Sequence, residues 1–168
     1  MNAQPAGHAA SGIATGAPRK VAIICSKGGL DQAYPALILA NAARMSGIDG
    51  VIFFTFYGLD IVTEKKVDHL HVAMVGNPSS PMPTMLAGLP GMEAFAGNMM
   101  RKVMEDLDLP PVREMLEMLD ASGCELFGCE LALQMMKLTK KDLVPQVKDV
   151  ITAGDFYEMT DGAQIIFI

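Results

Sequence analysis

Two short apolar runs, Val21–Cys25 (VAIIC) and Val51–Tyr57 (VIFFTFY), bracket a stretch rich in Ala and Leu between Ala33 and Met45. Runs of this length without polar alternation read as strands buried on both faces of a parallel sheet. Between them Asp31 suits a helix N-cap, Gly47 a helix stop, and Pro35 lies close enough to the first turn to be tolerated. Strand, helix and strand within about 40 residues make a βαβ unit, the building block of α/β folds. The expected architecture is therefore α/β with a mainly parallel sheet of four to five strands.

The rest of the chain continues the alternation. The spacing of Met92, Phe95, Met99, Val103 and Leu107 predicts a helix over 92–107. Pro110-Pro111 opens another over Val112–Ala121, stopped by Gly123. Cys124–Gly128 reads as a strand, Glu130–Lys137 and Lys140–Val147 as helices, Phe156–Thr160 as a short helix and Gln164–Ile168 as a closing strand. Leu70–Val75 is a candidate fifth strand, and the four prolines of Gly76–Pro90 mark an irregular excursion. Residues 1–18, small and without periodicity, read as a disordered leader; 19–168 read as one domain carrying a Met/Pro-rich insert near 70–105.

Composition narrows the function classes. The chain has 168 residues, 51% of them apolar and 19% charged, enough for a core in one ordinary domain. Thirteen Lys and Arg against nineteen Asp and Glu leave a net charge of −6, and no basic cluster exceeds two residues, so nucleic acid is not an expected partner. Mean hydropathy is +0.29. The longest stretch without Lys, Arg, Asp or Glu, His69–Met92, contains Pro78, Pro81, Pro83 and Pro90, which a regular membrane span does not tolerate. The first eighteen residues lack the basic start and apolar stretch of a signal peptide, and three cysteines show no extracellular pairing pattern. The expectation is a cytoplasmic, reducing location where thiols stay free. Fourteen methionines, seven of them from Met74 to Met104, serve either as flexible core filler or as an adaptable apolar surface.

Cys129 is the principal candidate for chemistry. It follows a predicted strand, precedes a predicted helix and adjoins Gly128, which lets the backbone turn sharply. Reacting groups in doubly wound sheets collect outside the carboxyl ends of strands, and a helix start favours a thiolate. The alternative for Cys129 is an inert buried thiol. Cys124 stands five residues earlier, roughly 15 Å away if the segment is extended, too far for a disulfide without a bend. Cys124 is therefore a core or accessory residue; Cys25, at the carboxyl end of the first strand, is either a small residue closing that strand or a second accessory thiol on the same sheet edge, and Lys27 is either a solvated lysine or a source of local positive potential. The S-K-G-G-L-D turn at Ser26–Asp31 matches neither dinucleotide nor P-loop signatures, and no G-x-S-x-G elbow occurs. His69 and His71 alternate on one predicted face, without the further ligands of a metal site. Neither a cofactor nor a metal is expected.

Ser26–Asp31, Ala36–Ala43 (ALILANAA) and Val51–Leu59 (VIFFTFYGL), with Gly76–Pro78 and the Gly128-Cys129 strand end, resemble the DsrE/DsrF/DsrH-like sulfur-carrier superfamily. The longer DsrE-like branch, also described as peroxiredoxin-family or sulfurtransferase proteins, is the nearest in pattern. The resemblance spans about Lys20 to Ile168. It implies a flavodoxin-like three-layer fold, a homo-oligomer, and a reactive cysteine that carries persulfide sulfur. It also implies TusA-like or rhodanese-like donor and acceptor proteins. That cysteine maps onto Cys129; three residues on, Ala132 stands where the resemblance leads one to expect Ser. The expected function is a persulfide carrier or sulfurtransferase. A non-catalytic oligomeric scaffold and a thiol peroxidase are the alternatives, and a membrane-peripheral role through residues 74–104 is compatible with any of them.

Overall fold

A computed structural model describes residues 19–72 and 91–168. The leader 1–18 and the excursion 76–90 lie outside these residues, as do the last three positions of the candidate strand at Leu70–Val75. The chain forms β1 (Lys20–Cys25), α1 (Leu30–Met45) and β2 (Asp49–Phe54), then 3-10 turns over Phe56–Val62 and Val67–His69. After the undescribed stretch come α2 (Met92–Asp106), α3 (Val112–Ala121), β3 (Glu125–Cys129), α4 (Glu130–Met135), β4 (Asp149–Ile151), α5 (Ala153–Met159) and β5 (Gln164–Phe167). The five strands are all parallel, in the order β4-β3-β2-β1-β5. The flavodoxin-like α/β architecture expected from the sequence is the one observed.

The topology dictates the layers. Steps from β1 through β4 run one way across the sheet, and the return to β5 runs the other way. Right-handed crossovers therefore put α1 and α3 on one face and α5 on the opposite one. Tyr34 of α1 donates its hydroxyl hydrogen to the Pro110 carbonyl at 3.0 Å, and Arg44 Nε donates to the Ser122 carbonyl at 2.9 Å, which ties α1 to both ends of α3. Gly50 faces the Arg44 side chain, so Gly50, Ile52 and Phe54 look toward α1, whereas Val51 and Phe53 look away. Phe53 stacks on Phe156 of α5, ring centroids 4.8 Å apart. Ile23, Ile52, Phe54, Leu126 and Leu37 are fully buried, and the core is continuous across both faces.

Several boundaries differ from the sequence expectation. The N-cap of α1 is Gly29, not Asp31, which sits inside the first turn. The second strand starts at Asp49 and stops at Phe54, because Thr55 N–H donates to the Cys25 carbonyl and the chain then folds into a 3-10 turn over the end of β1. Residues 70–72 are not a strand; the fifth strand is the three-residue β4. The helix expected over Lys140–Val147 is a single 3-10 turn, Lys140–Asp142, closed by a Thr139/Asp142 capping box. Beyond it Val144 N–H donates to the Val62 carbonyl at 2.8 Å, and Pro145 prevents helical continuation. Helix α4 ends at Met135, two residues early.

Candidate functional site

Parallel pairing places the carboxyl ends of all five strands on one edge of the sheet. Cys129 is the last residue of β3, pairs with Ile151 of β4 and is the N-cap of α4, with extended backbone (φ −76, ψ 120). The pairing of Phe54 with Gly128 puts Thr55 one register step further on, beside Cys129. Pleat alternation sends the Cys129 side chain to the face of Phe127 and Phe53, the face on which α5 packs. It is 8% exposed. Gly128 does not make a sharp turn, as the sequence suggests; it is an interior strand residue. A Cβ there would meet Leu133 and Leu143 side chains at 3.2 and 3.3 Å, so its bareness makes room for packing. Nor is the helix start a strong positive pole: α4 has six residues, and Glu130 puts a carboxylate in its first turn.

The other two thiols are not brought to Cys129. Cys25 pairs with Phe54 in the register row that includes Gly128, so it points to the α1 face, two strands away. Cys124, at the amino end of β3, faces Gly50 and Arg44 on that same α1 side, roughly 16 Å along the strand from Cys129. All three cysteines are free. Burial pushes the Cys25 thiol up to about 11 and the Cys124 thiol up to about 12, the latter with Arg44 opposing. At pH 8 these values leave about one thiolate in a thousand at Cys25 and one in ten thousand at Cys124. Iodoacetamide applied to the folded protein at pH 8 is therefore expected to modify Cys129 first, with Cys25 and Cys124 reacting only after denaturation. Peptide mass mapping against time checks it, and early labelling of Cys25 would contradict the burial of that thiol.

The sequence reading missed what surrounds the thiol. Phe56 follows Thr55 with φ 45, a conformation that a bulky non-glycine residue adopts only when its surroundings impose it. Gly58 goes with it, since its N–H donates to the Thr55 carbonyl at 2.9 Å while a Cβ there would run into the main chain of Cys25. Phe56 and Tyr57 are 50% and 68% exposed, and Leu131 and Met135, one helical turn apart on α4, are 64% and 61% exposed. An apolar rim of this kind suits contact with another protein. The available signal was Gly58 itself, too close behind two aromatics for all of them to belong to a strand.

Lys27 belongs to a different feature. With Gly28, Gly29, Tyr57, His69 and His71 it lines an open cleft of about 1020 Å³ in front of α1, and Cys129 is not among the lining residues. His69 ends a 3-10 turn, so the two histidines do not alternate on a strand. Among the described residues no cluster of three His, Cys, Asp or Glu side chains is placed to hold a metal ion, and no helix is long and apolar enough to cross a membrane.

The sequence model of the DsrE/DsrF/DrsH-like family matches residues 17–168. The chain is 32% identical over 155 residues to the sulfur carrier protein DsrE2 of Allochromatium vinosum, covering 88% of this chain and 96% of that protein. It is 23% identical over 155 residues to the uncharacterized protein YrkE of Bacillus subtilis, covering 89% and 97%. In fold it is similar to the ychN protein of E. coli, with a TM-score of 0.54 and 14% identity over 90% of this chain and all of that one. It is similar also to MTH1491 of Methanobacterium thermoautotrophicum, a protein of unknown function, with a TM-score of 0.50 and 13% identity over 89% and 99%.

Proposed function

Because the chain belongs to the DsrE/DsrF/DrsH-like family, we propose that it is a sulfur carrier whose Cys129 holds sulfane sulfur as a persulfide. The observation that carries the reading is the position of Cys129, the one thiol at the carboxyl edge of the sheet on the α5 face, next to an exposed apolar rim. The relative named as a sulfur carrier supports the class of activity.

In this reading the Cys129 thiolate attacks the outer sulfur of a donor persulfide, R–S–SH. The donor S–S bond breaks, R–S⁻ leaves, and Cys129–S–SH forms. An acceptor thiolate then attacks the outer sulfur of Cys129–S–SH, taking it as its own persulfide and releasing the Cys129 thiolate. Each step exchanges one S–S bond for another, so no cofactor or external oxidant is required. Phe56, Tyr57, Leu131 and Met135 form the contact surface for TusA-like or rhodanese-like partner proteins, in a reducing cytoplasmic compartment. A homo-oligomer accounts for further exposed apolar surface at Ile165 and Phe167 of β5. Thiol peroxidase chemistry fits less well, because Cys25 and Cys124, the thiols that would have to resolve a sulfenic acid, lie on the other face.

The test is intact mass after brief exposure to polysulfide, before and after reductant, on the wild type and Cys129→Ser. A reductant-labile gain of roughly 32 Da per sulfur is expected in the wild type and not in the variant. Persistence in Cys129→Ser would move the site to Cys25 or Cys124, and no gain in either protein would leave the scaffold as the better reading.

A further inference from the structure

The cleft in front of α1 is not absorbed by the thiol chemistry. It lies outside the carboxyl ends of β1 and β2, lined by the loop between β1 and α1 with the first turn of α1 and by the segment that follows β2. In open α/β sheets ligands collect in crevices outside the carboxyl ends of the strands. Its volume of about 1020 Å³ is at the upper end of small-molecule sites and far larger than a single inorganic ion requires.

The charges lining it are of both signs and unevenly paired. Lys66 is matched with Asp60 at 2.7 Å. Lys27 and Lys65 are exposed, and among the described residues neither has a carboxylate within 4 Å. His69 and His71 add two more nitrogen-bearing rings. Opposite in sign stands Asp31, whose Oδ2 accepts from Gln32 Nε2 at 3.0 Å. Its Oδ1 is shut off from solvent with no hydrogen-bond donor. An unpaired buried carboxylate oxygen costs free energy, and a small rotation of the carboxylate toward an incoming ammonium would relieve it.

We infer that this cleft binds a small zwitterion of the amino-acid or short-peptide type, its carboxylates on Lys27 and Lys65 and its ammonium on Asp31. The juxtaposition selects against a simple anion, for which Asp31 is a liability, and against a simple cation, which the lysines repel. The inference does not depend on the role of Cys129, because the cleft does not include that residue.

The probe is S-methylglutathione, which carries one ammonium and two carboxylates but no free thiol, titrated calorimetrically into the full chain at low salt. Glutarate, two carboxylates without the ammonium, is the comparison. Saturable one-site binding is expected for S-methylglutathione in the wild type. Lys27→Ala combined with Lys65→Ala should weaken it about tenfold or more, since charge-assisted hydrogen bonds contribute roughly 1.5–3 kcal/mol. Asp31→Asn should weaken S-methylglutathione by about tenfold while leaving glutarate unchanged or tighter. Absence of saturation at about 20 mM, or equal affinity in all variants, would overturn the site. Equal affinity for the two probes with a neutral Asp31→Asn would overturn the zwitterion assignment. Circular dichroism establishes that each variant is folded, and the two exposed lysines give a decisive result even if Asp31→Asn is not.

Discussion

Gly58→Ala is expected to lower the stability of the domain by about 3 kcal/mol or more, a loss of roughly 6–12 °C in Tm for a chain of this size. An alanine Cβ at this position would stand 2.0 Å from the Cys25 carbonyl oxygen and 2.7 Å from its carbon. Those atoms are main chain at the end of a central strand, already held by the Thr55 N–H, so they cannot swing aside as a long side chain would. The 3-10 turn must lift instead. Lifting it disturbs Phe56 and Tyr57 beside Cys129, and also the Lys27–Gly29 loop, because the Tyr57 carbonyl sits against Gly28. Both the thiol edge and the cleft should therefore suffer from one methyl group. Gly154→Ala is the control: its Cβ would meet only Thr152 Oγ1, at 3.5 Å, in the first turn of α5. There the gain in helix propensity should leave stability unchanged or raise it by up to about 1 kcal/mol. Thermal unfolding of both variants decides the matter, and equal Tm values would refute the close approach at Gly58.

That contact also marks the limit of what could be read from residues alone. The βαβ unit was legible because Val21–Cys25 and Val51–Phe54 are apolar without alternation, a pattern that only burial on both faces explains. The stops at Gly47 and Gly123 were legible because the chain needs positive φ there, 68° and 82°. Cys129 at a strand end was legible to within one residue. Which thiols share a site was not, because that depends on the phase of the pleat across β1, β2 and β3, and register is a property of paired strands. β4 was missed because three residues carry no period, and Lys140–Val147 read as helix because a tertiary bond from Val144 to Val62 competes with local preference. Helix α2 shows a further limit. The repeat of Phe95, Met99, Val103 and Leu107 correctly gave a helix, yet that stripe is exposed, and the face of Ala96, Met100 and Met104 turns inward. Period identifies a face without saying which way it looks.

The helix on the Cys129 face of the sheet rests on very little, and this makes Phe156→Ala the other substitution with a large expected effect. Helix α5 has seven residues and buries one, Phe156, 1% exposed. Its ring stacks on Phe53 at 4.8 Å with 21° between planes. Beyond that ring, Met159 packs against the edge of the core and Lys20 Nζ donates to the Met159 carbonyl at 2.6 Å, while the Thr152/Asp155 capping box and the 2.6 Å bond from Thr160 Oγ1 to the Phe156 carbonyl close the helix's own ends. Truncating a buried Phe removes its transfer free energy and leaves a cavity, together about 3–5 kcal/mol, to which the lost stacking contributes about 1 kcal/mol. Phe156→Leu retains most of the volume and loses the ring, so its cost should stay below about 1.5 kcal/mol beyond the stacking loss. Urea unfolding measures both, with unchanged m-values showing that the denatured state is not altered. Because Cys129 points to the α5 face, loosening this helix should also speed alkylation of Cys129 in the still-folded Phe156→Ala protein while leaving Cys25 and Cys124, on the far side of the sheet, as slow as before. A faster reaction at all three cysteines would mean global opening and would show that α5 does not specifically shield Cys129. Acceleration at Cys129 alone would make Phe156 the anchor that sets how much of that thiol a reagent in solution can reach.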